Sequence, residues 1–136
     1  MTNNGSNTWD VPFCDITWFE NLLNTHSNIT NVIRHDDIVF EVDRIKQSDH
    51  LRIFCCRQYA MSLTRVQSAI AEFGPLDLIY IGGGWNGYTS VAKLFCEEQH
   101  IGLYVTDEMS GALWQNEYWS YYKRDKKGNP VYFNRG

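Results

Sequence analysis

The sequence predicts an α/β fold in which helices flank one central mixed sheet. Two observations support this prediction: strand patterns follow one another in the first half of the chain, and strands alternate with helices in the second half. The length agrees, since 136 residues, 43% of them hydrophobic, suit one compact core. We therefore expect a disordered polar leader over residues 1–8 and a single domain over residues 9–136.

The first half of the chain begins with a helix and continues with a strand meander. Apolar residues recur at helical spacing across residues 14–23, where Asp15 or Thr17 is available to cap the first turn. Apolar residues then alternate with other residues across 36–45, which is typical of a strand with one buried face. The apolar run 51–56 follows after a polar turn, so these two stretches predict an antiparallel hairpin.

The second half alternates helices with strands. Ser62 can cap a helix that ends at a Gly-Pro pair. The almost continuously apolar run 76–81 predicts a strand covered on both faces. A helix opened by Thr89 or Ser90 then leads to another strand at 101–105. A strand, a helix and a strand joined by short loops predict a right-handed parallel crossover.

Composition argues against several classes of function. Twelve Lys and Arg against sixteen Asp and Glu give a net charge of -4. Non-specific binding to nucleic acid would need a surplus of basic residues instead. No apolar run reaches the roughly 20 residues of a membrane helix, and no export signal is visible, so we expect a cytoplasmic protein without a membrane partner. The four cysteines are then expected to be reduced, with Cys55, Cys56 and Cys96 as packing residues, and their spacing matches no structural zinc site.

Four segments between residues 51 and 113 follow one another in an order that is shared with a known family. They are a strand at 53–59, a buried strand at 78–81, an aromatic and small-residue loop leading into a helix at 85–92, and a terminal strand at 101–104. This stretch resembles the restriction-endonuclease-like (PD-(D/E)XK) superfamily, especially its Mrr-like branch. The resemblance implies a restriction-endonuclease-like fold and, in active members, a Mg²⁺-dependent nuclease site on the first of these strands.

The residues at the implied catalytic positions differ from those of active members. The strand of an active member carries an acid or Gln, one further residue and then Lys, whereas these positions are Cys55, Cys56 and Arg57 here. A thiol is a poor Mg²⁺ ligand, and an arginine stays protonated, so it cannot act as a base. We therefore expect neither a catalytic residue nor a bound metal or other cofactor.

Two alternatives remain open. A divalent-metal nuclease of the phage-defence type would bind Mg²⁺ through Asp37 or Asp43 together with Glu41, and Arg57 would stabilise the charge that develops in the reaction. A nucleic-acid-binding module would instead use the loop around Trp85 and the aromatic and basic C-terminal segment.

Side chains in a loop and in the C-terminal segment supply the candidate binding residues. These are Trp85, Asn86, Tyr88, Trp114, Tyr118 and Trp119. The first three follow a strand in a glycine-rich loop, where large rings either fold over the sheet or meet a partner. The last three begin an aromatic segment that is predicted to form a C-terminal hairpin with its turn at residues 125–130.

These observations together favour a non-catalytic binding protein. An acidic chain with exposed aromatic residues suits the neutralisation of a basic protein by charge steering and aromatic anchors, as immunity proteins neutralise nuclease toxins. We therefore expect a bacterial immunity protein, or another toxin–antitoxin or phage-defence protein, that acts by protein–protein interaction. The expected partner is a basic protein such as a nuclease toxin.

Overall fold

The computed structural model describes residues 7–135. Its α-helices are α1 (Phe13–Thr25), α2 (Leu63–Phe73), α3 (Ser90–Glu98) and α4 (Thr106–Ala112), and a 3-10 turn spans Tyr118–Ser120. Its strands are β1 (Ile29–His35), β2 (Val39–Arg44), β3 (Asp49–Cys56), β4 (Ala60–Met61), β5 (Leu78–Ile81), β6 (Gly87–Tyr88) and β7 (Gly102–Val105).

Five of these strands form one mixed sheet in the order β1-β2-β3-β5-β7. β1, β2 and β3 are antiparallel, whereas β3, β5 and β7 run parallel to one another. β4 and β6 form a separate parallel pair. The prediction of an α/β fold with a central mixed sheet flanked by helices is confirmed, and the assignment to the restriction-endonuclease-like fold stays a prediction.

The first helix forms where the spacing predicts it, but its cap differs. α1 buries Ile16, Phe19 and Leu23. Pro12 occupies its N-cap, and no side chain caps the first turn. The prediction that Asp15 or Thr17 caps this helix is therefore wrong, because Thr17 donates to carbonyls within the helix and Asp15 pairs with a distant arginine.

The strand meander contains the predicted antiparallel hairpin and one further strand. β2 pairs with β3 from Val39 opposite Phe54 to Arg44 opposite Asp49. β1 precedes it as a separate strand, because Asp36 and Asp37 both have positive φ, of 46° and 70°, and reverse the chain. Aspartate tolerates this left-handed conformation better than most residues.

The second half of the chain confirms the predicted elements and their signals. The Ser62 side chain accepts from the Arg65 amide at 3.2 Å, and the Thr89 side chain accepts from the Ala92 amide at 3.1 Å, so both act as helix N-caps. Gly74, with φ of 80°, ends α2. All four residues of β5 and of β7 are buried, as their continuous apolar patterns predict.

The C-terminal segment forms the predicted hairpin, but only a short one. A turn lies at the predicted position, but one antiparallel bridge, Arg124 opposite Pro130, is the extent of strand pairing across it. The chain then returns to the body of the fold, where the Tyr88 amide donates to the Phe133 carbonyl at 3.1 Å. Gly87 permits this close approach, since a Cβ there would lie 2.0 Å from that oxygen.

Residues 1–6 of the predicted disordered leader lie outside the described residues. Its last two residues are hydrogen-bonded: the Asn7 amide donates to the Val11 carbonyl at 2.9 Å, and the Thr8 hydroxyl donates to Glu72 at 2.7 Å. Trp9 follows in the core, with its ring edge on Phe54. Over residues 7–135, no helix is both long enough and apolar enough to cross a membrane.

Candidate functional site

The parallel strands end at one edge of the sheet, and the N-terminal half of α1 reaches that edge. Arg57 follows β3, Gly82 follows β5 and Thr106 follows β7. Ligand sites in open α/β sheets lie at the carboxyl ends of parallel strands. A cavity of about 440 Å³ opens here, with Asp15 and Trp18 of α1 on one side.

An ion pair joins α1 to the end of β3 at this edge. The Arg57 Nη1 atom lies 3.2 Å from each carboxylate oxygen of Asp15. The Asp15 side chain is 14% exposed and that of Arg57 is 46% exposed. Gly82 leaves room for the carboxylate, because a Cβ at that position would stand 3.2 Å from Asp15 Oδ2. The charge of Asp15 is therefore balanced by Arg57.

The two adjacent cysteines of β3 are both fully buried, on opposite faces of the sheet. Burial raises the pKa of Cys55 well above its usual range, and the neighbouring Cys56, Asp15 and Asp37 raise it further. Burial also raises the pKa of Cys56, whose Sγ atom lies 4.0 Å from Met61 Sδ. Both thiols are neutral packing groups at pH 7, as predicted, and the fully buried Cys96 is a third.

Asp37 approaches Cys55 from the turn before β2. Its carboxylate is fully buried and accepts from Arg34 Nη1 at 3.2 Å and from Asn7 Nδ2 at 3.1 Å. Asp37 lies beside β3, because the Cys55 amide donates to the carbonyl of the next residue, Ile38, at 2.8 Å, and Asp15 reaches the end of the same strand through Arg57. The fold thus brings Asp15, Asp37, Cys55 and Arg57 to one place, with a basic partner beside each acid.

Glu41 and Asp43 share one face of β2 but lie away from this edge. Glu41 stands opposite Arg52 of β3 and Asp43 opposite His50. At a rise of about 3.3 Å per residue, these positions are roughly 16 and 23 Å along the strand from Arg57. The structure therefore does not bring Glu41 or Asp43 together with Arg57.

Glu41 and Asp43 instead form a surface cluster with two histidines. His35 Nε2 and His50 Nε2 each lie 2.7 Å from a Glu41 oxygen, and His50 Nδ1 lies 2.7 Å from Asp43 Oδ1. The Glu41 carboxylate and then the Asp43 carboxylate accept hydrogen bonds from His50 and raise its pKa above 6.5. The hydrogen bond with His50 lowers the pKa of Glu41. Hydrogen bonds with Asn31 and, to a smaller extent, with His50 lower the pKa of Asp43.

The contribution of His50 to stability is expected to depend on pH. Because its folded pKa is raised, the contribution is fully present below the unfolded value of 6.5 and is lost as the pH rises through the folded value. The difference in free energy of unfolding between the wild type and His50→Gln should therefore shrink as the pH rises above about 6.5. Denaturation at a series of pH values measures it, with Glu98→Gln as control. A difference that grows above pH 7 would contradict the assignment.

The glycine-rich loop separates the three binding residues that were predicted in it. Trp85 is 82% exposed, and its carbonyl accepts from Arg135 Nε at 2.9 Å. The Asn86 amide donates to the Gly82 carbonyl at 2.7 Å and so shapes the cavity wall. Tyr88 is corrected to a core residue: it is fully buried and its hydroxyl donates to Glu108, so no partner can reach it.

The C-terminal aromatic residues are likewise divided. Trp114 is 42% exposed and tilted against His26 at 5.2 Å. Trp119 is half-buried and stacks on His100 at 4.2 Å. Tyr118 is instead a buried residue: it is 8% exposed, Arg44 lies over its ring, and its hydroxyl donates to Asp77 at 3.3 Å.

The sequence analysis missed Trp18, an exposed aromatic residue at the cavity, which Tyr80 and Phe133 also line. Trp18 is 48% exposed and lies nearly parallel to Tyr80, with centroids 6.1 Å apart. Tyr80 stacks in turn on the buried Phe19 at 4.1 Å. The available signal was the helical period itself, since Trp18 falls on the polar face of α1 between Cys14 and Asn21.

The fold and the site define a mixed α/β domain with a cavity at the carboxyl edge of its sheet. Among residues 7–135, no group of three or more His, Cys, Asp or Glu side chains is arranged to hold a metal ion. Comparison with known proteins finds no matching family model, curated protein or solved structure.

Proposed function

We propose that this chain is a non-catalytic binding protein on a restriction-endonuclease-like scaffold. Its role would be that of a bacterial, cytoplasmic immunity or phage-defence protein that acts by protein–protein interaction. The observation that carries the proposal is the ion pair of Asp15 with Arg57 beside the buried thiol of Cys55. A Mg²⁺-dependent nuclease needs charged oxygen ligands that converge on the ion. Here the carboxylate at the end of β3, that of Asp15, is paired with the Arg57 guanidinium.

Charge and exposed aromatic side chains support the choice of partner. The chain has a net charge of -4, and Trp18, Trp85 and Trp114 each present an indole at the surface. Exposed aromatic side chains often anchor protein interfaces, and opposite charge accelerates association. A nuclease toxin that binds phosphates is basic, so it has the charge that this chain attracts.

A divalent-metal nuclease is the second candidate, and one observation favours it. Asp15 and Asp37 come from different elements and both approach the end of β3, where an active member of the superfamily would hold its metal. A cation binding there would have to compete with Arg57 for Asp15 and with Arg34 for Asp37.

A cleavage assay separates the two candidates. The proposal predicts that supercoiled DNA, single-stranded DNA and RNA all stay intact with the purified chain and Mg²⁺ or Mn²⁺. Cleavage that disappears in Asp37→Asn and in Arg57→Met, but persists in the matched control Asp43→Asn, would establish the nuclease and overturn the proposal. Asp43 is a suitable control because it carries the same charge on the same hairpin, away from the site.

An inhibition assay tests the binding function directly. Basic nucleases from the native host should be retained by the immobilised chain at low salt and should lose activity in proportion to the chain added. A retained nuclease that keeps its full activity would contradict the proposal. Steeply salt-dependent binding of single strands, weakened by Lys126→Ala with Lys127→Ala, would instead favour a nucleic-acid-binding module.

A further inference from the structure

We infer that the exposed face of α1, centred on Trp18, receives a basic partner protein, and that an arginine side chain of this partner stacks on the Trp18 indole. The inference rests on the proposed protein-binding function. It adds the surface that makes the contact and the chemistry that this surface recognises.

Three cavities meet at Trp18. One is the cavity of about 440 Å³ at the carboxyl edge of the sheet, and the others, of about 390 and 470 Å³, lie along the outer face of α1. Trp18 lines all three of them. A half-exposed tryptophan with room on several sides is typical of an interface anchor, because a partner can bury the ring by filling the surrounding space.

The Trp18 ring is held in place before any partner binds. It lies 9° from parallel to Tyr80, which stacks on the buried Phe19 within 4° of parallel. The Tyr80 hydroxyl lies 3.0 Å from Thr106 Oγ1, which fixes that ring in turn. Within residues 7–135 the indole N–H of Trp18 has no hydrogen-bond partner, so it is available to an incoming acceptor. A fixed ring loses little conformational entropy on binding.

The charges around Trp18 favour a cation. Three carboxylates, those of Asp15, Glu20 and Asp107, line these cavities, and no Lys or Arg of the described residues does so. Asp15 is paired with Arg57, and Glu20 lies 4.0 Å from Arg34. Asp107 is exposed and has no ion pair among residues 7–135, so it is the carboxylate left to meet a partner's charge.

Arginine fits this surface better than lysine or phosphate does. A guanidinium is planar, so it stacks on an indole face and can pair with a carboxylate through two parallel hydrogen bonds. An ammonium can do neither in the same way. A phosphate would meet three carboxylates here, and the two arginines beside them, Arg57 and Arg34, are already paired with Asp15 and Glu20, so this face is unsuited to a nucleic acid backbone.

A peptide titration followed by NMR tests the inference. The probe is a nine-residue peptide with three arginines, and its lysine analogue is the comparison. The arginine peptide should shift the indole N–H signal of Trp18 and the amide signal of Asp107, and it should bind more tightly than the lysine peptide. Trp18→Leu and Asp107→Asn should each weaken binding about fivefold or more, as expected for a desolvated cation contact.

Matched variants control for general charge and aromatic effects. Trp114→Leu removes an indole of similar exposure, and Asp43→Asn removes a carboxylate of the same charge from another face. Both should change the affinity less than twofold. Equal losses in these controls, movement of the Trp85 or Trp114 indole signal instead, or no binding at all would overturn the inference. If the Trp18 signal shifts when the protein alone is diluted, this face binds a second copy of the chain, and the inference is overturned too.

The outcomes distinguish this inference from the function on which it rests. Peptide binding at another face would overturn the assignment to Trp18 and leave the proposed binding function intact. DNA cleavage in the assay above would overturn the function, whatever the peptide does at Trp18.

Discussion

Replacing Arg44 with methionine is expected to lower the free energy of unfolding by about 3–5 kcal/mol. Arg44 is 2% exposed, and its Nε and Nη2 atoms donate to the Asp49 carboxylate at 2.9 and 2.7 Å. Its Nη1 atom donates to the Gln115 carbonyl at 2.6 Å and to the Leu113 carbonyl at 3.3 Å. Methionine fills much of the space but leaves these acceptors without their donor.

Chemical denaturation of the two proteins measures the Arg44 effect. Arg124→Met is the control, because Arg124 is exposed and donates to a surface carbonyl, so its loss should change the free energy of unfolding by no more than about 0.5 kcal/mol. If both variants lose the same small amount, Arg44 does not join β2 to the segment after α4 in the way that the hydrogen bonds indicate.

Glu108→Ala is the second substitution with a large expected effect, again a loss of about 3–5 kcal/mol. Glu108 is fully buried: one carboxylate oxygen accepts from the Val105 amide at 3.1 Å, and the other accepts from the Tyr88 hydroxyl at 3.0 Å. Burial raises the pKa of Glu108, while the nearby Lys93 counteracts that rise. Alanine would leave a backbone amide and a hydroxyl without this acceptor, and it would remove the carboxylate whose charge acts on the buried ammonium of Lys93.

A double variant tests whether Glu108 and Lys93 act as a pair. Burial lowers the pKa of Lys93 to about 8, and its Nζ lies 3.8 Å from the Tyr104 ring centroid. The double variant Lys93→Met with Glu108→Ala should therefore lose less free energy of unfolding than the sum of the losses in the two single variants. Each single change leaves the other buried charge without its counter-charge. Strict additivity would contradict the coupling. Glu98→Ala, an exposed change on α3, is the control.

Local signals in the sequence were sufficient for most of the elements. Ser62 and Thr89 cap their helices through hydrogen bonds to amides three residues further along the chain, so neighbouring residues are enough to predict both caps. β5 and β7 are read from unbroken apolar runs, because a strand covered on both faces has no polar position. α4 was missed because it has seven residues and includes the buried Glu108, which hides an apolar period.

The site depended on contacts that no local pattern encodes. Asp15 suggested a helix cap, yet its partner is Arg57, 42 residues away, and only the packing of α1 on the sheet brings them together. Tyr88 sat in a loop that suggested exposure, but the returning C-terminal segment and Glu108 enclose it. Glu41 and Asp43 were candidate metal ligands beside Arg57, but the register of β2 on β3 places them beside His50 instead.

Manganese binding followed by NMR tests the central claim most directly. The claim is that the edge formed by Asp15, Asp37, Cys55 and Arg57 does not hold a divalent metal, because each acid there has a basic partner. We predict that Mn²⁺ leaves the amide signals of Asp15, Cys55 and Gly82 no broader than those of distant residues such as Glu98. Selective broadening of these three signals at micromolar Mn²⁺, lost in Asp37→Asn, would contradict the account.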